Sequence, residues 1–231
     1  TGRFTDAETM EAFAMAMAGK LNTELTAEFR SAGVDAVGLS GVDGGLLSGP
    51  RKSAVRVVED GKRKIRRGDH SGKIESVNAD LLAGLLDDGY TPVVSPPMAG
   101  DEGDGEVTPV NADADRAAAA VAGALGADLV LLTDVSGVYA DPDDPETRID
   151  AAATPAELAT VEDAAEGFMG KKVMAAREAL EGGSGRVVIA DANVRDPVVA
   201  ALGGEGTTVE RSALDEVANG DAAETEGGET A

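Results

Sequence analysis

Two adjacent lysines mark the stretch of this sequence best suited to chemistry. Lys171 and Lys172 follow Gly167, in the first turn of a predicted helix that ends at Gly182 and Gly183. Positive charge at a helix N-terminus opposes the helix macrodipole, so an isolated helix would carry acids there. A bound anion such as a phosphate group removes that conflict, and the two lysines therefore predict an anion site.

A second polar group lies where a strand and a helix meet. Asn111 and Asp115 open a predicted helix with Asn111 as its cap, and residues 128–133 are typical of a buried parallel strand that ends at Asp134. Open α/β sheets bind ligands at the carboxyl ends of their strands. The pattern therefore predicts a ligand site here, and plain helix capping is the competing explanation for the acids.

The elements that must position these residues indicate the α/β class. Helical segments alternate with short strands rich in Val, Leu and Ile, and 231 residues suit one domain. A first helix has apolar residues at helical spacing, which we interpret as core packing. These residues are Met10, Phe13, Met17, Leu21, Leu25 and Phe29. Residues 214–231 are almost without large apolar side chains, and we expect them to form a disordered acidic tail.

The composition is strongly acidic and excludes several classes of partner. Asp and Glu number 43 against 20 Lys and Arg, a formal charge of −23, which indicates adaptation to high salt and argues against nucleic acid. With no cysteine, neither disulfides nor thiolate metal sites can form. No run approaches the roughly 20 apolar residues of a membrane span. We therefore expect a cytoplasmic protein with no membrane partner.

Residues 51–73 reverse the acidic bias of the chain. They carry nine cations against three acids, and the alternation around Asp60-Gly61 predicts a β-hairpin. The cations are Arg51, Lys52, Arg56, Lys62, Arg63, Lys64, Arg66, Arg67 and Lys73. A solvated charged face is one interpretation. Since packing does not require such a bias, we favour a docking surface for an acidic partner.

Several motifs together resemble the amino-acid kinase family, especially its N-acetylglutamate kinase branch. They are Asn111-x-x-x-Asp115, the strand that ends in Thr133-Asp134, and the Gly-x-Met-x-x-Lys pattern that ends at Lys172. The resemblance runs in order from residue 1 to about residue 206. It implies a three-layer αβα sandwich with a mainly parallel central sheet, over a kinase domain at residues 1–213.

The resemblance also implies roles for individual residues. Lys172 would meet the transferring phosphoryl group, and Asp115 would hold the lysines in position. Arg3 and Asn111 would orient the substrate, and Asp134 would lie on the nucleotide side. The implied cofactors are ATP and Mg²⁺, with the metal brought by the nucleotide because the sequence offers no dedicated metal cage. A homodimer is also implied.

The basic hairpin narrows the resemblance to enzymes whose substrate is carried on the acidic amino-group carrier protein LysW. Such enzymes phosphorylate carrier-linked glutamate or aminoadipate in arginine and lysine biosynthesis. The implied carrier-docking residues are Arg51, Lys52, Lys62, Lys64, Arg66 and Arg67. Free acetylglutamate needs no cationic dock. Glutamate and aminoadipate stay unresolved, since one methylene shifts binding by only about 1–3 kcal/mol.

One part of the family pattern is missing from the sequence given. Family members begin with a Lys-x-Gly-Gly strand and a later His-Gly-Gly loop, and neither is found here. We therefore expect that about 60 N-terminal residues are absent and that the chain by itself shows little phosphoryl transfer. The alternatives left open are an N-acetylglutamate kinase, a more distant member such as a uridylate kinase, and an inactive remnant that only binds partners.

Overall fold

The computed structural model describes residues 4–59 and 61–215, so Arg3 and residues 216–231 of the predicted tail lie outside the described part. The helices are α1 Ala7–Ala14, α2 Asn22–Ser31, α3 Ala79–Asp87, α4 Ala114–Leu125, α5 Pro155–Ala164, α6 Gly167–Gly182 and α7 Pro197–Leu202. The strands are β1 Ala36–Gly41, β2 Leu47–Glu59, β3 Lys62–Gly72, β4 Ser76–Val77, β5 Thr91–Asp101, β6 Val107–Val110, β7 Leu129–Thr133, β8 Ala151–Ala152, β9 Arg186–Asp191 and β10 Thr207–Glu210. The α/β class is confirmed.

The strands form two sheets where the resemblance implied one. In the first sheet the order is β1-β5-β2-β3, with β4 beside β2 and β6 beside β5. In the second it is β7-β9-β10-β8. Both sheets are mixed: β1 and β5 are parallel, as are β7 and β9, whereas β2 and β3 form an antiparallel hairpin. Within the described residues, β1 and β7 are each paired along only one edge, which is why the sheets stay separate.

Helix α4 joins the two halves because it is apolar on two sides. Ala117 belongs to the core under the first sheet, together with Met98 and Val110. Ala119 and Ala122 belong to the core under the second sheet. Small side chains on both sides allow one helix to pack into two cores, since little volume must be accommodated on either side. The start of α4 therefore lies where the two halves meet.

The first helix is less buried than its apolar stripe predicted. A π-helical turn, Met15–Leu21, joins α1 and α2 into one helical segment. Met10 is buried, as expected, but Leu21, Leu25 and Phe29 are each more than 40% exposed. The prediction that the whole stripe is core packing is therefore wrong for its C-terminal half. In α2 the inward positions are instead occupied by Asn22 and, one turn later, by Thr26, so the apolar residues lie to one side.

None of the helices that the structure describes is long and apolar enough to cross a membrane.

Candidate active site

The start of α4 presents a short series of acids. Asp113 is the helix cap, since its side chain accepts a hydrogen bond from the Arg116 main-chain N–H at 3.3 Å. Asp115 follows in the first turn, where its charge is favourable to the helix dipole. The sequence had predicted Asn111 as the cap. That prediction is wrong because the Asn111 backbone is engaged in a bridge with Ser71 of β3.

Helix α6 runs beside α4 and delivers Lys172 to Asp115. The Lys172 Nζ lies 3.0 Å from Oδ1 and 3.2 Å from Oδ2 of Asp115, and the two side chains are 19% and 27% exposed. A pair this shielded is less screened by salt than a surface ion pair. Because α6 begins at Gly167, both lysines stand in its second turn and not its first, so the dipole argument for an anion site weakens.

A second ion pair and a close helix contact fix α4 against α6. The Arg116 guanidinium donates two hydrogen bonds to Glu178, at 2.9 and 2.5 Å, and these hydrogen bonds raise the pKa of Arg116. Further along, a Cβ at Gly123 would lie only 3.0 Å from the Cα of Gly182. Bidentate pairing and backbone contact restrict sliding between the helices. The Lys172–Asp115 geometry is therefore held by rigid elements.

The base of the basic hairpin forms the opposite side of the site. The Asn111 N–H donates to the His70 carbonyl at 2.8 Å, and the Gly72 N–H donates to the Asn111 carbonyl at 3.0 Å. These bonds hold Asn111 against β3 immediately before α4 begins. Lys73 follows β3 directly, so one short strip of chain places a cation and Asn111 together.

These elements surround a cleft of about 950 Å³. Its lining includes Lys52, Lys73, Asn111, Asp115, Phe168, Lys171 and Lys172. Four lysines around one cleft suit a ligand that carries several negative charges, such as a nucleotide phosphate or a carboxylate. Phe168 is 78% exposed in the same cleft, with the Lys171 ammonium 5.9 Å from its ring centre.

The structure brings together only some of the residues singled out from the sequence. Lys172, Lys171, Asp115 and Asn111 share the cleft. Asp134 follows β7 as predicted, but it is exposed and outside the cleft lining, where it accepts a hydrogen bond from the Thr133 hydroxyl at 3.1 Å. The sequence correctly predicted that Asp134 follows a strand. Whether Asp134 lies near the cleft depends on how the second sheet is oriented.

The hairpin predicted at residues 51–73 is present, but its cations are not equivalent. Arg51 is only 15% exposed, is ion-paired with Glu102 at 2.5 Å and donates from Nε to the Asp69 carbonyl at 2.9 Å. A hydrogen bond from the Thr108 hydroxyl, and next to it the one from Arg51, lower the pKa of Glu102. We therefore remove Arg51 from the docking surface. Lys52 points to the cleft instead.

Cross-strand pairing divides the remaining hairpin cations between two faces. Val55 pairs with Arg66 and Val57 with Lys64, which places Lys62, Lys64 and Arg66 on one face, here called the inner face. Arg66 lies over the Phe4 ring at 3.9 Å, so this face contacts the body of the protein.

The other face, here called the outer face, was only partly included in the sequence-based selection, which named Arg67 but not Arg56 or Arg63. It carries Arg56, Arg63 and Arg67 together with Val58 and Ile65, which are 59% and 69% exposed. Alternation of side chains along a strand, with a period of two, could have separated the two faces, but it does not show which of them turns outward. Lys73 was also missed, since its place in the cleft depends on the bridge to Asn111.

Comparison with known proteins identifies the class. A sequence model of the amino acid kinase family matches residues 2–191. The chain belongs to the amino acid kinase family, whose members are ATP-using kinases, here with a carboxyl group as acceptor.

Individual relatives divide between two substrates. The chain is 46% identical over 211 residues to the LysW-aminoadipate kinase of Deinococcus radiodurans, covering 90% of this chain and 70% of that protein. It is 45% identical over 210 residues to the acetylglutamate kinase of Methanopyrus kandleri, covering 90% and 79%. Among solved structures it matches an N-acetylglutamate synthase of Neisseria gonorrhoeae complexed with coenzyme A and N-acetyl-glutamate, with a TM-score of 0.66 and 24% identity over 93% of this chain and 46% of that one. This structural match concerns the fold alone.

Proposed function

We propose that this protein transfers the γ-phosphoryl group of ATP to the side-chain carboxylate of glutamate or aminoadipate carried on a LysW-type protein. The observation that carries the proposal is the lysine-lined cleft, with its Lys172–Asp115 pair, at the base of a cationic hairpin. The Deinococcus relative supports a carrier-linked substrate. The product would be an acyl phosphate, an intermediate of arginine or lysine biosynthesis.

The proposed chemistry needs positive charge and alignment more than a base. One carboxylate oxygen attacks the γ-phosphorus, the bond from that phosphorus to the β,γ-bridging oxygen breaks, and ADP leaves. The carboxylate is already ionised near pH 7, so no proton has to be removed. Two anions must approach each other, and preorganised cations lower that barrier. The lysines of the cleft are suited to this role.

We assign roles within the cleft on that basis. Lys172 contacts the transferred phosphoryl group, and Asp115 holds the Lys172 ammonium in place through the bonds described above. Asn111 orients the substrate together with Arg3. Asp134 is assigned to the nucleotide side of the sheet, beyond the cleft lining.

Magnesium is assigned to the nucleotide. Among residues 4–59 and 61–215, no group of three His, Asp or Glu side chains is arranged to hold a metal ion. Asp115, the acid nearest the proposed reaction, is already paired with Lys172. Mg²⁺ typically keeps several waters and binds through nucleotide phosphates, which fits a site without a protein cage.

Docking of the acidic carrier is assigned to the basic hairpin. The outer face combines Arg56, Arg63 and Arg67 with exposed Val58 and Ile65, as expected for a contact that buries apolar area and pairs charges. Lys62, Lys64 and Arg66 on the inner face add to the field that attracts an acidic partner, and Lys52 lies where the carried substrate would enter the cleft.

Acyl-phosphate trapping with hydroxylamine tests the function. The chain is supplied with Mg-ATP and either carrier-linked glutamate, carrier-linked aminoadipate or free N-acetylglutamate. Since the family's Lys-x-Gly-Gly segment is assigned phosphate binding, the assay is repeated with that segment of a family member joined to the chain. We expect hydroxamate from a carrier-linked substrate in the joined protein. No product from any acceptor would refute the proposal.

N-acetylglutamate kinase is the second candidate. The Methanopyrus relative, at 45% identity, favours it. In the trapping assay this candidate predicts rapid product from free N-acetylglutamate and no benefit from a carrier. The inactive remnant predicts carrier binding with no hydroxamate in either form of the protein.

We also propose that the protein is a homodimer that buries the exposed stripe on the first helix. Leu21, Leu25 and Phe29 recur every four residues and lie 43–47% exposed along one side of the segment. An apolar row of this kind is most simply covered by the same row of a second copy across a two-fold axis.

Changing two of these residues should separate the subunits. We expect Leu25→Glu with Phe29→Glu to convert a dimer to a monomer in sedimentation equilibrium at micromolar concentration, since paired stripes would then bury four like charges. Thr23→Glu with Ala27→Glu is the matched control, because it adds the same charge on the other side of α2. A monomeric unmodified protein, or a dimeric double variant, would contradict the proposed interface.

Adaptation to high salt is a further proposal, and it rests on the charge of −23. Raising KCl from 0.1 M to 3 M should raise the Tm by about 10 °C or more, because screening relieves carboxylate repulsion in the folded state. Sucrose at equal osmolality is the control for solute exclusion. A Tm that stays level in KCl would show that the acidic surface is not salt-dependent.

A further inference from the structure

Asp69 is a buried carboxylate that the proposed chemistry does not use. It lies in β3 after seven exposed residues, yet it is itself 0% exposed. Buried carboxylates are rare and cost free energy unless their oxygens accept hydrogen bonds. The partners of Asp69 therefore indicate what is gained by keeping an acid there.

Those partners attach the N-terminal segment of the chain to the hairpin. The Asp69 Oδ1 accepts a hydrogen bond from the Thr5 main-chain N–H at 2.8 Å, and its Oδ2 accepts one from the Ser71 hydroxyl. The Thr5 carbonyl in turn accepts from the His70 N–H at 2.7 Å. Both polar groups of the Thr5 peptide backbone are thus bound to β3, and Thr5 is only 5% exposed.

The same short strip of β3 also holds Asn111. His70 accepts from the Asn111 N–H, and Gly72 donates to the Asn111 carbonyl, as described above. Residues 69–72 therefore hydrogen-bond to both Thr5 and Asn111. The stacking of Arg66 on Phe4 adds a second contact between the hairpin and the N-terminal segment.

We infer that Asp69 is a positioning residue that ties the Thr5 backbone to the base of the hairpin and so holds that base, to which Asn111 is also bonded, in place. This inference rests on the proposed function, in which Asn111 orients the acceptor. It also makes the docking hairpin and the acceptor site parts of one hydrogen-bonded unit, so that a carrier bound to the hairpin is held in register with its own substrate.

Isothermal titration of the chain with N-acetylglutamate and, separately, with ATP tests the inference. Asp69→Ala removes both acceptor oxygens and should raise the Kd for N-acetylglutamate about tenfold, because a small misplacement of an orienting group is costly. The Kd for ATP should change less than about twofold. Asp69→Asn keeps an oxygen that can accept from Thr5 and should restore most of the acceptor affinity.

Two further variants keep the test decisive. Glu102→Ala removes an acid that follows β5 and bonds to Arg51 of the hairpin base and to Thr108, and it should leave acceptor binding unchanged. Thr5→Pro removes the donor N–H in place of the acceptor oxygens and should raise the Kd for N-acetylglutamate by the same factor as Asp69→Ala. It therefore tests the tether even if Asp69→Ala does not fold. Equal losses of ATP and acceptor affinity would overturn the inference. It would also be overturned if either Thr5→Pro or folded Asp69→Ala bound the acceptor as tightly as the unmodified chain.

Failure of the proposed function would look different. If the unmodified chain binds neither N-acetylglutamate nor a carrier-linked acceptor, the acceptor assignment is at fault. The tether itself is read from hydrogen exchange at the Thr5 amide, which should be slow in the unmodified chain and in Asp69→Asn and fast in Asp69→Ala. A fast Thr5 amide in the unmodified chain would overturn the tether independently of any ligand.

Discussion

Lys172→Ala is expected to lower the rate of acyl-phosphate formation by about 10²–10³-fold, since one preorganised charge contact typically contributes that much. The expectation follows from geometry: the Lys172 ammonium is held 3.0 Å from Asp115 by two helices that a second ion pair and a glycine contact fix in place. Hydroxylamine trapping in the protein joined to the Lys-x-Gly-Gly segment measures the rate. The Kd for acceptor should change much less than the rate.

Lys171→Ala is the matched control for that prediction. Lys171 lines the same cleft and carries the same charge, but it is exposed and lies near the Phe168 ring, without the pairing to Asp115 that Lys172 has. We expect its removal to slow the reaction by less than about fivefold, as for a flexible surface charge. If Lys171 proves essential and Lys172 dispensable, the catalytic assignment is displaced by one residue on α6.

Reversing two cations of the outer face is expected to raise the KM for a carrier-linked substrate by about 10²-fold, because direct contacts to an acidic partner become repulsive. The variant is Arg63→Glu with Arg67→Glu. The KM for free N-acetylglutamate should stay within about twofold, since neither residue lines the cleft. Steady-state kinetics with both acceptors, at low and at molar KCl, provide the measurement.

Lys62→Glu with Lys64→Glu makes the same charge change on the inner face. If the outer face makes the contact, this control should weaken carrier use only at low salt, where long-range attraction operates, and have little effect at molar KCl, where the Debye length is about 3 Å. A larger effect on the inner face at high salt would move the docking surface to that side. Equal losses for carrier-linked and free acceptors would refute docking on the hairpin.

Local sequence rules were sufficient for the elements that carry the site. The boundaries of α6, the strand before Asp134 and the paired strands of the hairpin all follow from glycines, apolar runs and alternation within a few residues. The family motif also singled out Asp115 and Lys172, which are 57 residues apart and meet in the structure. The predictions of single helices and strands succeed because periodicity and turn chemistry act between near neighbours in the chain.

Other predictions failed where distant segments compete for the same groups. Asn111 has a good capping side chain, yet Asp113 caps α4 because the Asn111 backbone is paired with β3. The stripe of the first helix has the period of a core helix, yet Leu25 and Phe29 are exposed. Helical period shows that a face is apolar, and it does not show what will cover that face.

The sequence by itself determined the α/β class, the main helices and strands, the acidic surface with its basic hairpin, and the family to which the chain belongs. Tertiary structure alone decided which hairpin cations face outward and that Arg51 is ion-paired with Glu102. It also decided that Lys52 and Lys73 line the cleft and that Asp69 is hydrogen-bonded to Thr5. The reason is physical. Residue type and local spacing specify what a side chain can bind, whereas its partner is chosen by long-range packing, which brings residues 64 positions apart within hydrogen-bond distance.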